Sequence, residues 1–198
     1  MVATSVQERK YTPTNSQNGH APQKISLAEF QKKFLSRKDN FKYEWVSGNI
    51  EKAPRIVNRN QTLIIHRLQR LFLTTKAHQE MSELVAELDM FLPTINRTRR
   101  ADFGVLTAKQ VIASANDDMS PARFVIEIIS KNDQINEVGQ KLIEYFNNGI
   151  EVVWVIFPKL KKVEVYRSLR DISICFDSDI CSASPVLPDF QISVDKLL

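Results

Sequence analysis

The stretch from Phe124 to Phe157 constrains the fold of this chain more than any other. "FVIEII" at 124–129 is a short apolar run between "SPAR" and "SKND". Its β-branched content predicts a buried strand. "NDQINEVGQKLIEYFNNG" follows with helical spacing, Ile135, Val138, Leu142, Ile143 and Phe146 forming its apolar side. Asn132 or Asp133 can cap that helix, and Gly149 supplies a left-handed stop. "IEVVWVIFP" is the next strand, with Trp154 as a core residue. Strands joined through a helix lie parallel, with a right-handed crossover. One acid interrupts the first strand. Val125, Glu127 and Ile129 share one face; Phe124, Ile126 and Ile128 share the other. A carboxylate among apolar neighbours needs a partner: a cation, a metal or a proton.

The remaining segments build around this unit. Residues 1–23 are polar, carry Pro13 and Pro22, and predict a disordered tail ahead of a single domain over 24–198. "SLAEFQKKFLSRKD" predicts a helix with Ser26 as its N-cap, Glu29 completing a capping box, and an apolar stripe of Leu27, Phe30, Phe34 and Leu35. "FKYEWVSGNIEKAP" predicts a hairpin turning at Ser47-Gly48-Asn49. An amphipathic helix is expected over 60–77, with Leu63, Ile64, Leu68, Leu71 and Phe72 inward and Arg59 and His66 outward. "SELVAELDMFLP", "RRADFGVLT" and "KKVEVYR" read as strands, the last reached through a turn at 158–161. One or two short strands follow around 171–176, then a terminal segment "LPDFQISVDKLL", with "DSDICS" as a turn. The order predicts an α/β domain: a mixed central sheet flanked by helices.

Composition narrows the functional classes. The 198 residues are 43% hydrophobic and 25% charged, ordinary for a globular protein. No apolar run approaches a membrane span. The first residues lack an apolar secretory core, so a cytoplasmic location and reduced thiols at Cys175 and Cys181 are expected. His20, His66 and His78 show no zinc spacing with each other or the cysteines. Five glycines, none grouped, give no phosphate-cradling loop, and no nucleophile elbow is present. A net charge of +4 permits nucleic-acid binding without requiring it.

Asp102 in "ADFGVL" is a second strand acid, sharing a face with Gly104 and Leu106, opposite Ala101, Phe103 and Val105. If its strand adjoins that of Glu127, two carboxylates meet and repel unless a cation joins them. Mg²⁺ suits such hard oxygen donors because it keeps waters for chemistry. Lys141, with Tyr145 one turn on, is the candidate amine for orienting an attacking water or offsetting anionic charge. Glu44, in "KYEWVSG", is a third acid that could hold a second ion or the water. A bland reading stands beside each: Glu127 as an ion pair with Arg123 or Lys141, and Lys141 as a solvated helix lysine. Arg97, Arg99 and Arg100 are either phosphate contacts or a solvated strand start. Lys159, Lys161 and Lys162 read as a solvated hairpin tip.

These segments carry a resemblance. "KYEWVSGNI", "RRADFGVL", "PARFVIEIIS", "EVGQKLIEYFNNGIEVVWVIFP", "VEVYR" and "LPDFQISV" resemble, in order and spacing, the Uma-type restriction endonuclease family, a branch of the PD-(D/E)XK nuclease superfamily. The resemblance covers roughly 26–198 and implies a restriction endonuclease-like fold. It implies Asp102 and Glu127 as metal ligands, with the Ile128 carbonyl as a third. Lys141 would be the catalytic lysine, and Glu44 the acid from the N-terminal part. Superfamily members usually place the lysine two residues after the second acid; here Ile129 stands there, and the family pattern supplies it from the helix. Ala101 replaces a proline, Glu137 an aspartate and Asn60 a frequent histidine. The expectation is a DNA endonuclease using Mg²⁺ or Mn²⁺, a phosphodiester hydrolase acting as a homodimer without a nucleotide cofactor. The alternative is a non-catalytic relative that keeps the fold as a binding or assembly module.

Overall fold

The structure is a computed structural model that describes residues 24–39, 41–54, 59–130 and 135–198. The stretch 1–23, the Asn132/Asp133 cap and the side chains of Arg59, Asn60 and Ile135 lie outside the described residues.

α1 (Leu27–Phe30) starts where Ser26 Oγ accepts the Glu29 N–H at 3.2 Å, and it continues as a π-helical turn, Gln31–Leu35. The Glu29 side chain pairs with Lys33 instead of reaching back, so only half of the capping box forms. β1 (Phe41–Val46) and β2 (Asn49–Pro54) make the expected hairpin. Val46 pairs with Asn49, so the turn is Ser47-Gly48 alone, both at positive φ as a type I′ turn requires.

α2 (Arg59–Phe72) stops short of the expected end. Thr75 caps a separate short helix, α3 (Lys76–Gln79), by accepting the His78 N–H at 3.2 Å. Ile64, Leu68 and Phe72 are buried one turn apart, whereas Leu63 lies off that line and is exposed. β3 (Glu83–Leu92), β4 (Arg97–Leu106), α4 (Ala108–Ser114) and β5 (Phe124–Ile128) follow. Then come α5 (Ile135–Asn147), β6 (Val152–Phe157), β7 (Lys162–Tyr166) and β8 (Ile172–Phe176). β9 (Ile180–Ala183), β10 (Leu187–Ser193) and α6 (Val194–Leu197) close the chain. Gly149, at φ 83°, follows the end of α5 as expected. The Pro158–Leu160 turn joins β6 to β7, and Asp177 at φ 46° turns β8 into β9.

The sheet is mixed, in the order β2-β1-β4-β5-β6-β7-β8, with β3 also paired to β4. β5 and β6 are its parallel pair, as a helical crossover demands; β4 runs antiparallel to β5. α2, α6 and the β9–β10 hairpin cover one face, over Phe103, Phe124, Ile126, Ile128 and Trp154. Trp154, Phe124 and Phe190 pack with ring centroids 5.3–5.5 Å apart. α5 covers the other face, over Val125, Val153 and Val155. The α1 segment, the β1–β2 hairpin and Phe91 form a third cluster around Tyr43 and Trp45. Among the described residues no helix is long and apolar enough to cross a membrane.

β4 departs from simple alternation. Its ladder with β3 is continuous except where Glu87, at φ 51°, stands opposite Asp102. The kink shifts the side-chain phase. Ala101 faces the α5 side, while Phe103 and Val105 face the α2 side, so the expected common face of these three is not formed. At Gly104, just beyond, an added Cβ would lie 2.4 Å from Leu88 Cδ2 and 3.3 Å from Ala122 Cβ, so a side chain there would displace Leu88.

Candidate active site

β3 occupies one edge of β4 from end to end, so β1 and β5 share the other edge. β1 pairs there only at Arg97 and β5 only at Phe103 and Gly104. Between those points the sheet splits, and side chains replace the ladder. Thr98 Oγ1 accepts the Trp45 N–H at 2.6 Å, and Glu44 Oε1 accepts the Arg100 N–H at 3.4 Å. Asp102 Oδ2 accepts the Ile128 N–H at 2.7 Å. Backbone donors left by the splayed strands must be satisfied, and Glu44 and Asp102 do so from opposite sides of the gap.

Glu127, 6% exposed, faces α5 from β5. Lys141 Nζ donates to its Oε2 at 3.1 Å and Tyr145 Oη to its Oε1 at 2.5 Å. Lys141 and Tyr145 stand four apart, so one helix face delivers both. From β1, Lys42 Nζ donates to Asp102 Oδ1 at 2.6 Å. It lies within electrostatic reach of Glu127 and Lys141. The structure therefore brings Asp102, Glu127 and Lys141 into one cluster and adds Lys42, which the sequence reading missed. Each carboxylate carries its own ammonium, Lys42 on Asp102 and Lys141 on Glu127; Arg123 pairs with Glu151 on the surface.

The electrostatics follow from burial. Burial drives the Glu127 carboxyl above its usual range and Asp102 adds to the rise; Lys141, Tyr145 and Lys42 pull it back without cancelling it. For Lys141 burial works downward, but Glu127, Glu44 and Asp102 outweigh it and hold the ammonium protonated. Lys42 is raised in the same balance, chiefly by Asp102. Burial and the adjacent Glu127 charge push Tyr145 well above the ordinary phenol value, which keeps it a neutral donor.

Glu44 lies in a different setting from the expected one. Its Oε2 accepts from Arg99 Nη1 at 2.8 Å and Arg97 Nη2 at 3.2 Å, so two guanidinium groups already balance its charge. Arg99 Nε also binds Glu144 Oε2 at 2.6 Å, and Arg97 contacts Glu51. Arg100 grips Asp89 with two bonds of 2.8 and 2.7 Å. Arg99 and Arg100 are buried, which corrects their reading as phosphate contacts or a solvated strand start. Glu144 also explains the rotation of α5. Tyr145 and Glu144 are buried and Ile143 is 43% exposed, contrary to the apolar stripe drawn from the sequence. Buried Glu127 and Arg99 need partners, and satisfying them outweighs sheltering one isoleucine.

No group of three or more His, Cys, Asp or Glu side chains positioned for a metal occurs among the described residues. A closed four-ligand site is therefore not built here. Asp102 and Glu127 on adjacent strands, with the carbonyl of Ile128 directly after Glu127, form a hard-oxygen donor set. Such a set fits a divalent ion that keeps most of its waters. Cys175 and Cys181 are free and buried in the β8–β9 region, away from the acids.

The family model described as "Uma2: Putative restriction endonuclease" matches residues 27–195. The chain belongs to the Uma2 family. No curated protein matches it. Among solved structures it is similar to the crystal structure of "a putative nuclease belonging to DUF820 from Anabaena variabilis ATCC 29413". That match has a TM-score of 0.70 at 18% identity and covers 87% of this chain and 97% of the other. At that identity the likeness establishes the fold, a restriction endonuclease-like mixed sheet flanked by helices. Within the Uma2 match, the split between β1 and β5 holds Asp102, Glu127, Lys141 and Lys42.

Proposed function

We propose that this Uma2 protein is a metal-dependent endonuclease that hydrolyses phosphodiester bonds in DNA. One observation carries the reading: two strand acids come together where the sheet opens, and a lysine pairs with each in a partly buried cluster. Asp102, Glu127 and the Ile128 carbonyl would hold one Mg²⁺ or Mn²⁺, which would supply Lewis-acid charge at the scissile phosphate and acidify water. Lys141 donates to the attacking water or to the oxygens that gain charge in the transition state. Tyr145 holds Glu127 Oε1 and fixes the rotamer, and Oε2, which Lys141 holds, is the oxygen the ion would share. Glu44, bound to Arg97 and Arg99, adds negative potential beside Lys141 and acts as a positioning residue. Cutting both strands of a duplex calls for two such sites, supplied by a homodimer, and DNA would be met in the cytoplasm.

The test is digestion of pooled plasmid, genomic and branched DNA with Mg²⁺ or Mn²⁺. Cleavage is expected with metal, and its loss with EDTA, in Asp102→Asn and in Lys141→Met. An intact DNA pool after incubation with protein that demonstrably binds metal would overturn the reading. A second reading has one observation in its favour: the acids are already satisfied by Lys42 and Lys141, as a fold retained for binding or assembly would leave them. Absence of Mn²⁺ binding to the wild-type protein in the presence of duplex DNA would favour it.

A further inference from the structure

Lys42 has no role in the proposed chemistry, yet its ammonium is bonded directly to one of the two acids, Asp102. Its Nζ sits 2.6 Å from Asp102 Oδ1, while the other oxygen, Oδ2, holds the Ile128 N–H. Oδ1 is thus the Asp102 oxygen turned away from the backbone, and an ammonium stands on it. Glu127 differs, because Tyr145 and Lys141 take one oxygen each. The Lys42 side chain is 26% exposed and belongs to the second residue of β1, beside the sheet opening. It can leave Asp102 for solvent or for a bound anion without breaking a ladder.

Charge decides what that arrangement does. The formal charges of the paired groups, Asp102 and Glu127 against Lys42 and Lys141, sum to zero, and nearby Glu44 is itself paired with Arg97 and Arg99. A divalent ion entering this cluster leaves a surplus of two positive charges in a space with little water to screen it. A phosphodiester removes one of them, and withdrawal of Lys42 from Asp102 removes the other. We infer that Lys42 is a built-in counter-cation that holds Asp102 in the free protein and yields it to the metal only as a phosphodiester arrives. Metal and DNA then load together, and Lys42 suppresses metal uptake by the unliganded protein.

This inference rests on the metal site proposed above, and its test separates the two. Mn²⁺ affinity is measured by calorimetry for wild type, Lys42→Met and Lys42→Arg, with and without a phosphorothioate duplex that resists hydrolysis. Removing one unit charge beside the ion should tighten Mn²⁺ binding to free Lys42→Met by about tenfold or more. Lys42→Arg should stay near wild type. In wild type the duplex should tighten Mn²⁺ binding, and Mn²⁺ the duplex by the same factor; that factor should shrink in Lys42→Met. A purely structural Lys42 would alter melting and leave this coupling unchanged. If wild type binds Mn²⁺ and Lys42→Met binds it no tighter, the inference falls while the metal site stands. If neither binds, both fall. Should Lys42→Met fail to fold, wild-type coupling decides alone, and Mn²⁺ affinity indifferent to the duplex overturns the inference.

Discussion

Replacing Arg99 by methionine tests whether the arginine row is scaffold or DNA contact. The Arg99 side chain is 9% exposed and bridges Glu44 at 2.8 Å and Glu144 at 2.6 Å. Burial works against its charge, and Glu144 and Glu44 outweigh that and hold it protonated. Removing one partner from a buried ionic group costs roughly 3–5 kcal/mol. Arg97 remains 3.2 Å from Glu44 and Gln140 3.2 Å from Glu144, which places Arg99→Met at the lower end, about 3 kcal/mol. For a domain of this size each kcal/mol moves the melting temperature by roughly 2–4 °C. Thermal unfolding followed by circular dichroism should therefore show a drop of about 6–12 °C. Arg99→Lys should recover little, because a point charge does not span two carboxylates as a guanidinium fork does. The salt dependence of DNA binding, per folded molecule, should keep its slope. An unchanged melt together with a salt slope reduced by about one would refute the reasoning and make Arg99 a phosphate contact.

Other consequences are equally direct. Gly104→Ala forces a methyl against Leu88 and should destabilise the fold by roughly 1–3 kcal/mol in urea titration, with Leu88→Ala in the same chain relieving the clash. Burial works to raise Glu144, but Arg99 and Gln140 outweigh it and leave its carboxyl below the ordinary 4.5. Its pair therefore stabilises the fold fully above about pH 4.5 and is lost as the pH falls through the lower folded value; Glu144→Gln should flatten that acid loss in a pH series of melts. The Cys175 and Cys181 thiols are buried, and burial pushes both pKa values up, so native protein should react slowly with a thiol reagent and unfolded protein quickly.

The strand–helix–strand core was legible because its signals are local. Period-two apolar runs placed Glu127 on the face opposite Ile126 and Ile128, and Gly149 marked the end of α5. What the sequence hid depends on partners far along the chain. Arg99 and Arg100 look like surface residues until Glu44, Glu144 and Asp89 arrive from three other elements. The apolar stripe of α5 pointed to Ile143, but Glu127 and Arg99 recruit Tyr145 and Glu144 and turn the helix. The break after Phe72 was invisible, because no glycine or proline marks "LTTK", where Thr75 caps a new helix. α4 went unread: it is seven residues long and buries none of them. Lys42 reaches Asp102 across 60 positions, and no spacing rule links them.

The central claim is that Asp102 and Glu127 act as one divalent-ion site. Mn²⁺ stoichiometry, from paramagnetic resonance of wild type, Asp102→Asn and Glu127→Gln in the presence of duplex DNA, tests it most directly. The account predicts a site in the wild-type protein that disappears in both variants while their circular dichroism stays native. Undiminished Mn²⁺ occupancy in either variant, or none in the wild type, contradicts it.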